Sequence, residues 1–165
     1  MAETLQLNRS YFFTIKTRMG YDDYASSKKK DRTLKYDYQL RIEGKDFTIP
    51  FESVEGARET FIVDVPGDLE DELNKDRESS ERILATIQEA VNNFCSVEDI
   101  DLGTQDIGSV GIYLKYGDNE KRKKLYEHFY DRIKVPSGYK KGRLGDRPGL
   151  KKLKISFQRK RFWDE

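Results

Sequence analysis

The sequence predicts an α+β fold. The expected form is a two-layer sandwich, with an antiparallel or mixed sheet carrying two main helices on one face. Three observations lead there. The first is strict alternation in "LKYDYQLRIEG": Leu34, Tyr36, Tyr38, Leu40 and Ile42 face one way, and Lys35, Asp37, Gln39, Arg41 and Glu43 face the other. One solvated sheet face is typical of antiparallel pairing. The second is a pair of segments with apolar residues at helical spacing. The third is the order from Thr60 onward: strand, helix, strand, strand, helix, strand. That is the split βαβ, ferredoxin-like order. A hairpin-rich segment over 1–58 precedes it, and residues 59–165 form the α+β part of what we expect to be one domain spanning 1–165.

Each element follows from local chemistry. In "YFFTIKTR", Tyr11, Phe13, Ile15 and Thr17 share a face, which predicts a strand. "MGYDDYASSKKKDR" is polar and reads as a long hairpin loop. After the turn "EGKD", Phe47, Ile49 and Phe51 are in phase, and Pro50 predicts an edge position or a strand end because it has no N–H to donate. "TFIVDV" is a compact apolar strand. The acidic "PGDLEDELNKDRESS" accommodates a short helix over 68–75. Ile83, Leu84, Ile87, Ala90, Val91 and Phe94 mark the clearest helix, with Ser79 or Ser80 as its cap. A weak strand is expected near Ile100. Val110, Ile112, Leu114 and Tyr116 alternate in a strong one. Asp118 is the expected cap of a second helix whose apolar face is Leu125, Tyr126, Phe129, Tyr130 and Ile133, ended by Pro136 and Gly138. Leu153, Ile155 and Phe157 give the last strand its buried face.

Composition narrows the function classes. Aromatic residues make up 12% of 165 residues, which argues against disorder. No window reaches the ~18 apolar residues of a membrane span, and "MAETLQLNRSYFF" lacks an apolar signal core. The expected location is cytoplasmic, or the host cytoplasm if the chain is viral. Cys95 is the single cysteine, so an internal disulfide and a cysteine-based zinc site are excluded. The net charge of +1 hides a segregation. Residues 51–106 hold 4 bases against 16 acids, and residues 134–165 hold 11 bases against 3 acids. Such asymmetry favours a charged partner.

The densest basic stretch is "VPSGYKKGRLGDRPGLKK", Val135 to Lys152, with four glycines, six Lys/Arg and one acid. It reads as a Gly-rich loop before the last strand. Gly138, Gly142, Gly145 and Gly149 let backbone amides approach a ligand. The spacing fits neither Walker A nor the dinucleotide fingerprint. Lys140, Lys141, Arg143, Arg147, Lys151 and Lys152 supply charge, Lys154 extends the patch, and Tyr139 is placed to stack on a base. Lysines or arginines on phosphates, with aromatics on bases, are what single-stranded nucleic-acid sites use. The bland alternative is a solvated connector.

Other candidates carry less. His128 is the one histidine and falls beside the buried helix face, a surface position with general-base chemistry only if a second group joins it. Asp37, Glu43 and Lys45 resemble a nuclease triad in type, but "EGK" lies in a turn. Cys95 reads as a packing residue. Tyr21, Asp22, Asp23 and Tyr24 sit in the polar loop and suit protein recognition; as metal ligands the two acids are outweighed by simple solvation.

The Gly-rich loop between the last helix and last strand of a ferredoxin-like unit is similar to the arrangement in the RAMP proteins that bind CRISPR RNA. The similarity covers residues 117–160; this loop is more basic, and its glycines are not closely paired. It implies RNA rather than duplex DNA. We therefore expect a non-enzymatic protein that binds single-stranded nucleic acid or RNA through the basic loop and adjoining strand, without a metal or cofactor. The alternative is a protein–protein interaction module, such as an inhibitor or an assembly or structural component. It would use the acidic face and the Tyr21–Tyr24 loop. No membrane partner is expected.

Overall fold

The structure, a computed structural model, describes residues 10–21, 32–54, 57–96 and 107–161, with backbone alone at 16–21, 32–34 and 57–59. The first four strands are β1 (Phe13–Tyr21), β2 (Arg32–Ile42), β3 (Lys45–Val54) and β4 (Ala57–Asp64). Helices α1 (Gly67–Leu73) and α2 (Arg77–Ser96) follow, then β5 (Ser109–Lys115) and α3 (Glu120–Arg132). The chain ends in β6 (Tyr139–Lys141), β7 (Gly145–Arg147) and β8 (Lys152–Arg159). The described residues thus form a mixed α+β structure with eight strands and three helices. The single sheet runs in the order β1-β2-β3-β4-β5-β8-β6, with β7 also on β8. Only β4 and β5 pair in parallel.

The alternation seen in sequence sets the core. Tyr36, Tyr38, Leu40 and Ile42 are buried, as are Phe47, Ile49 and Phe51 opposite them. The stripe of α2 packs on these strands, and the Phe94 ring stacks on Phe51 with centroids 4.5 Å apart. All the expected inward positions of β5 and β8 are buried, and Tyr126, Phe129 and Ile133 of α3 join the same cluster. No helix among the described residues is long and apolar enough to cross a membrane.

Several expectations change. In a ferredoxin-like order the last strand lies beside the first strand of that unit, here β4. Instead β8 pairs with β5, and the other neighbour of β4 is β3. The reason is the N-terminal hairpins, which extend the sheet and occupy the β4 edge. The weak strand near Ile100 lies outside the described residues. β3 is internal rather than an edge, but its register with β4 runs over Glu52–Val54 alone, so Pro50 sits beyond that ladder. The caps also shift. α2 starts at Arg77, and the Asp76 carboxylate accepts from the Ser79 N–H at 2.8 Å. α3 is capped by Asn119, whose side chain accepts from the Arg122 N–H at 3.1 Å, while Asp118 pairs with Lys151.

The largest correction concerns the Gly-rich stretch. It is not a free loop but a bulged edge strand. Tyr139–Lys141 pair with Phe157–Arg159, and Gly145–Arg147 pair with Lys152–Lys154. Three residues, 142–144, oppose two, 155–156, so one extra residue bulges out. Gly142 donates its N–H to the Ser156 carbonyl at 2.8 Å and lies so close that a Cβ there would collide with the Ser156 hydroxyl.

Candidate nucleic-acid interface

Period two divides the basic residues between the two sides of the sheet. On the solvent-facing side, Tyr113 of β5 stands opposite Lys154 of β8, and Lys115 stands opposite Lys152. Arg147 of β7 is the neighbour of Lys152 on the other side. The half-exposed Tyr113 ring has the Lys154 ammonium 5.7 Å and the Arg147 guanidinium 5.9 Å from its centroid. Both distances lie within cation–π range. Gly111 makes this flat: the Lys154 side chain passes 3.1 Å from where a Cβ would sit. The one acid in this group is Asp64 of β4, whose Oδ2 is 3.1 Å from Lys152 Nζ. Four cations therefore share this side of the sheet with one aromatic ring and one carboxylate.

Three of the other expected members, Tyr139, Lys141 and Lys151, face inward or are engaged elsewhere. Tyr139 is 3% exposed, and its hydroxyl donates to the Ile107 carbonyl at 2.8 Å, so it has no face for a base. Lys141 turns toward α3, donates to the Tyr130 carbonyl at 2.8 Å and lies over that ring. Lys151 is held by Asp118 at 2.6 Å. Lys140 points outward opposite Gln158, and Arg143 is exposed on the bulge. Beyond them on β7, Asp146 anchors the strand to α3: it accepts from the Tyr116 hydroxyl at 2.8 Å and pairs with Lys123 at 3.0 Å. The Tyr116 hydrogen bond, then Lys123, holds the Asp146 carboxyl below the usual carboxylate range, and the same contacts raise Tyr116 and Lys123. Charged side chains and a bulge also protect an edge strand from pairing with another chain, which accounts for part of the basic content here.

Tyr113 and Lys115 were missed from sequence. Their signal was present: an aromatic and a lysine out of phase in a strand whose alternate residues are core. Of the protein-recognition candidates, Tyr21 ends β1, and Asp22, Asp23 and Tyr24 lie outside the described residues. Glu43 pairs with Lys75 at 3.5 Å, and Asp37 is buried, so the two nuclease-like acids serve a local contact and an interior position. His128 is exposed on α3. Burial pushes the Cys95 thiol up to about 12, which keeps it protonated and unreactive at neutral pH. Compared with known proteins, the chain matches no family model, no curated protein and no solved structure.

Proposed function

We propose that the protein binds single-stranded nucleic acid, RNA by preference, on the solvent-facing side of β5, β7 and β8. One observation carries this reading: the half-exposed Tyr113 ring has the Lys154 ammonium 5.7 Å and the Arg147 guanidinium 5.9 Å from its centroid. A base stacks on the ring, and phosphates reach Lys115, Arg147 and Lys154, with Lys152 beside them held by Asp64 and Lys140 and Arg143 at the rim. The role is binding, not catalysis. We further propose that α2 and α3 cover the opposite face, a two-layer arrangement. The support is the single cluster that unites their apolar stripes with the inward residues of β2 to β5 and β8.

The test is titration of labelled single-stranded RNA and DNA into the wild type, Tyr113→Ala and Lys154→Gln at two salt concentrations. Tyr113→Ala should lose about 1–3 kcal/mol, the value of one base–aromatic stack. Lys154→Gln should flatten the salt dependence. Absence of binding by the wild type at low salt sinks the proposal. A second reading, a protein-interaction module, rests on Phe12 and Ile15, which are 85% and 41% exposed at edge strand β1. Its test is a partner pull-down that Phe12→Ser abolishes while RNA binding is unchanged.

A further inference from the structure

A cleft of about 720 Å³ opens between the turn joining α1 to α2 and the N-terminal half of α3. It shares no residue with the sheet surface around Tyr113. Four cations, Arg77, Lys121, Arg122 and Lys124, line it with two acids, Asp76 and Glu81. Both acids are already committed. Glu81 pairs with Arg77 at 2.9 Å, and Asp76 accepts from the Ser79 N–H at the start of α2. Lys121, Arg122 and Lys124 make no ion pair among the described residues. The cleft therefore keeps an uncompensated positive charge.

Arg122 is the informative member. Its Nε is shielded from solvent and has no hydrogen-bond acceptor. Leaving a charged N–H in that state is costly; an atom closed to water is closed to a phosphate oxygen too, so a ligand meets the rest of the half-buried guanidinium and the exposed Lys121 and Lys124. The buried acid that feels its charge does not complete it. Glu70 feels the Arg122 charge, but its Oε1 accepts from the Lys115 N–H at 3.1 Å, and burial raises its pKa toward the neutral form. Asp76 and Asn119 each take an amide at the starts of α2 and α3, so the cationic side chains are the main donors for a ligand here.

We propose that this cleft binds a phosphomonoester of roughly nucleotide size. A guanidinium offers the forked donors that match phosphate oxygens, and Lys121 and Lys124 neutralise the second charge. The volume lies within the ~300–1,000 Å³ of sites for small organic ligands and exceeds what a bare phosphate fills. Leu125 and His128 line the cleft beyond the cations and give the ligand's non-phosphate part a wall.

The test is calorimetric titration of the full chain with adenosine 5′-monophosphate, inorganic pyrophosphate and, as the phosphate-free control, adenosine. Both phosphate probes should bind and adenosine should not. Arg122→Gln should weaken binding at least about tenfold, the value of one hydrogen bond to a charged group. Tyr113→Ala should leave it unchanged. If Arg122→Gln does not fold, the exposed double variant Lys121→Gln/Lys124→Gln carries the same expectation. The proposal is overturned if neither phosphate binds, or if adenosine binds as well as its monophosphate. It is also overturned if a folded Arg122→Gln binds like the wild type, because Arg122 then serves only to offset Glu70.

Discussion

Asp64→Asn is expected to make the protein bind single-stranded RNA more tightly. Asp64 is the acid that holds Lys152, at 3.1 Å, on the surface around Tyr113. Its side chain is 61% exposed and that of Lys152 is 24% exposed, so the pair is partly solvated and worth at most about 1 kcal/mol to the fold. Removing the carboxylate frees one cation for phosphate. For a single strand, each neutralised phosphate adds about 0.7 to the slope of log affinity against log salt. One added contact at roughly 0.1 M salt therefore raises affinity about fivefold. Fluorescence anisotropy with a labelled RNA over a salt series measures both quantities. Lys152→Gln in the Asp64→Asn background should cancel the gain, because the released ammonium is then absent. Asp64→Asn binding no tighter than wild type, with an unchanged slope, would refute the assignment of Lys152 to the interface.

Three further outcomes test the structure beneath the site. Gly142→Ala should cost about 1–3 kcal/mol in urea denaturation, from overpacking against β8; adding Ser156→Ala should recover part of it, since that hydroxyl is the nearest obstacle and the Ser156 carbonyl remains 3.3 Å away. Tyr139→Phe should cost about 1–3 kcal/mol, because it strips the Ile107 carbonyl of its donor, yet leave RNA affinity unchanged. Asp146→Asn should lower the melting temperature at neutral pH. The Asp146 pKa is depressed in the fold, so its contribution is present above the ordinary carboxylate range and lost as pH falls through the lowered value. The gap between variant and wild type should close once the pH has fallen below that lowered value, and a gap that persists there would mean the Tyr116 and Lys123 contacts are not what Asp146 provides.

Local pattern by itself determined the inward faces of β2, β3, β5 and β8 and the stripe of α2, because period two and period 3.6 are set by backbone geometry within a few residues. It also located the basic quarter of the chain and the outward lysines 152 and 154. Partner choice was not legible. Whether β8 lies beside β4 or β5 depends on which edge the N-terminal hairpins occupy, and no short window contains that competition. The glycines and prolines of 135–152 predicted a loop for sound local reasons; only β8, arriving later in the chain, supplies the hydrogen bonds that turn it into an edge strand. That pairing then sorts its residues. Tyr139 and Lys141 turn in, Arg147 turns out, and Tyr113 gains neighbours some 34 and 41 positions away in sequence. The cleft at Arg122 was beyond the sequence for the same reason: its charge is ordinary on a helix surface, and only the fold sets the α1–α2 turn beside α3 and leaves its Nε without an acceptor.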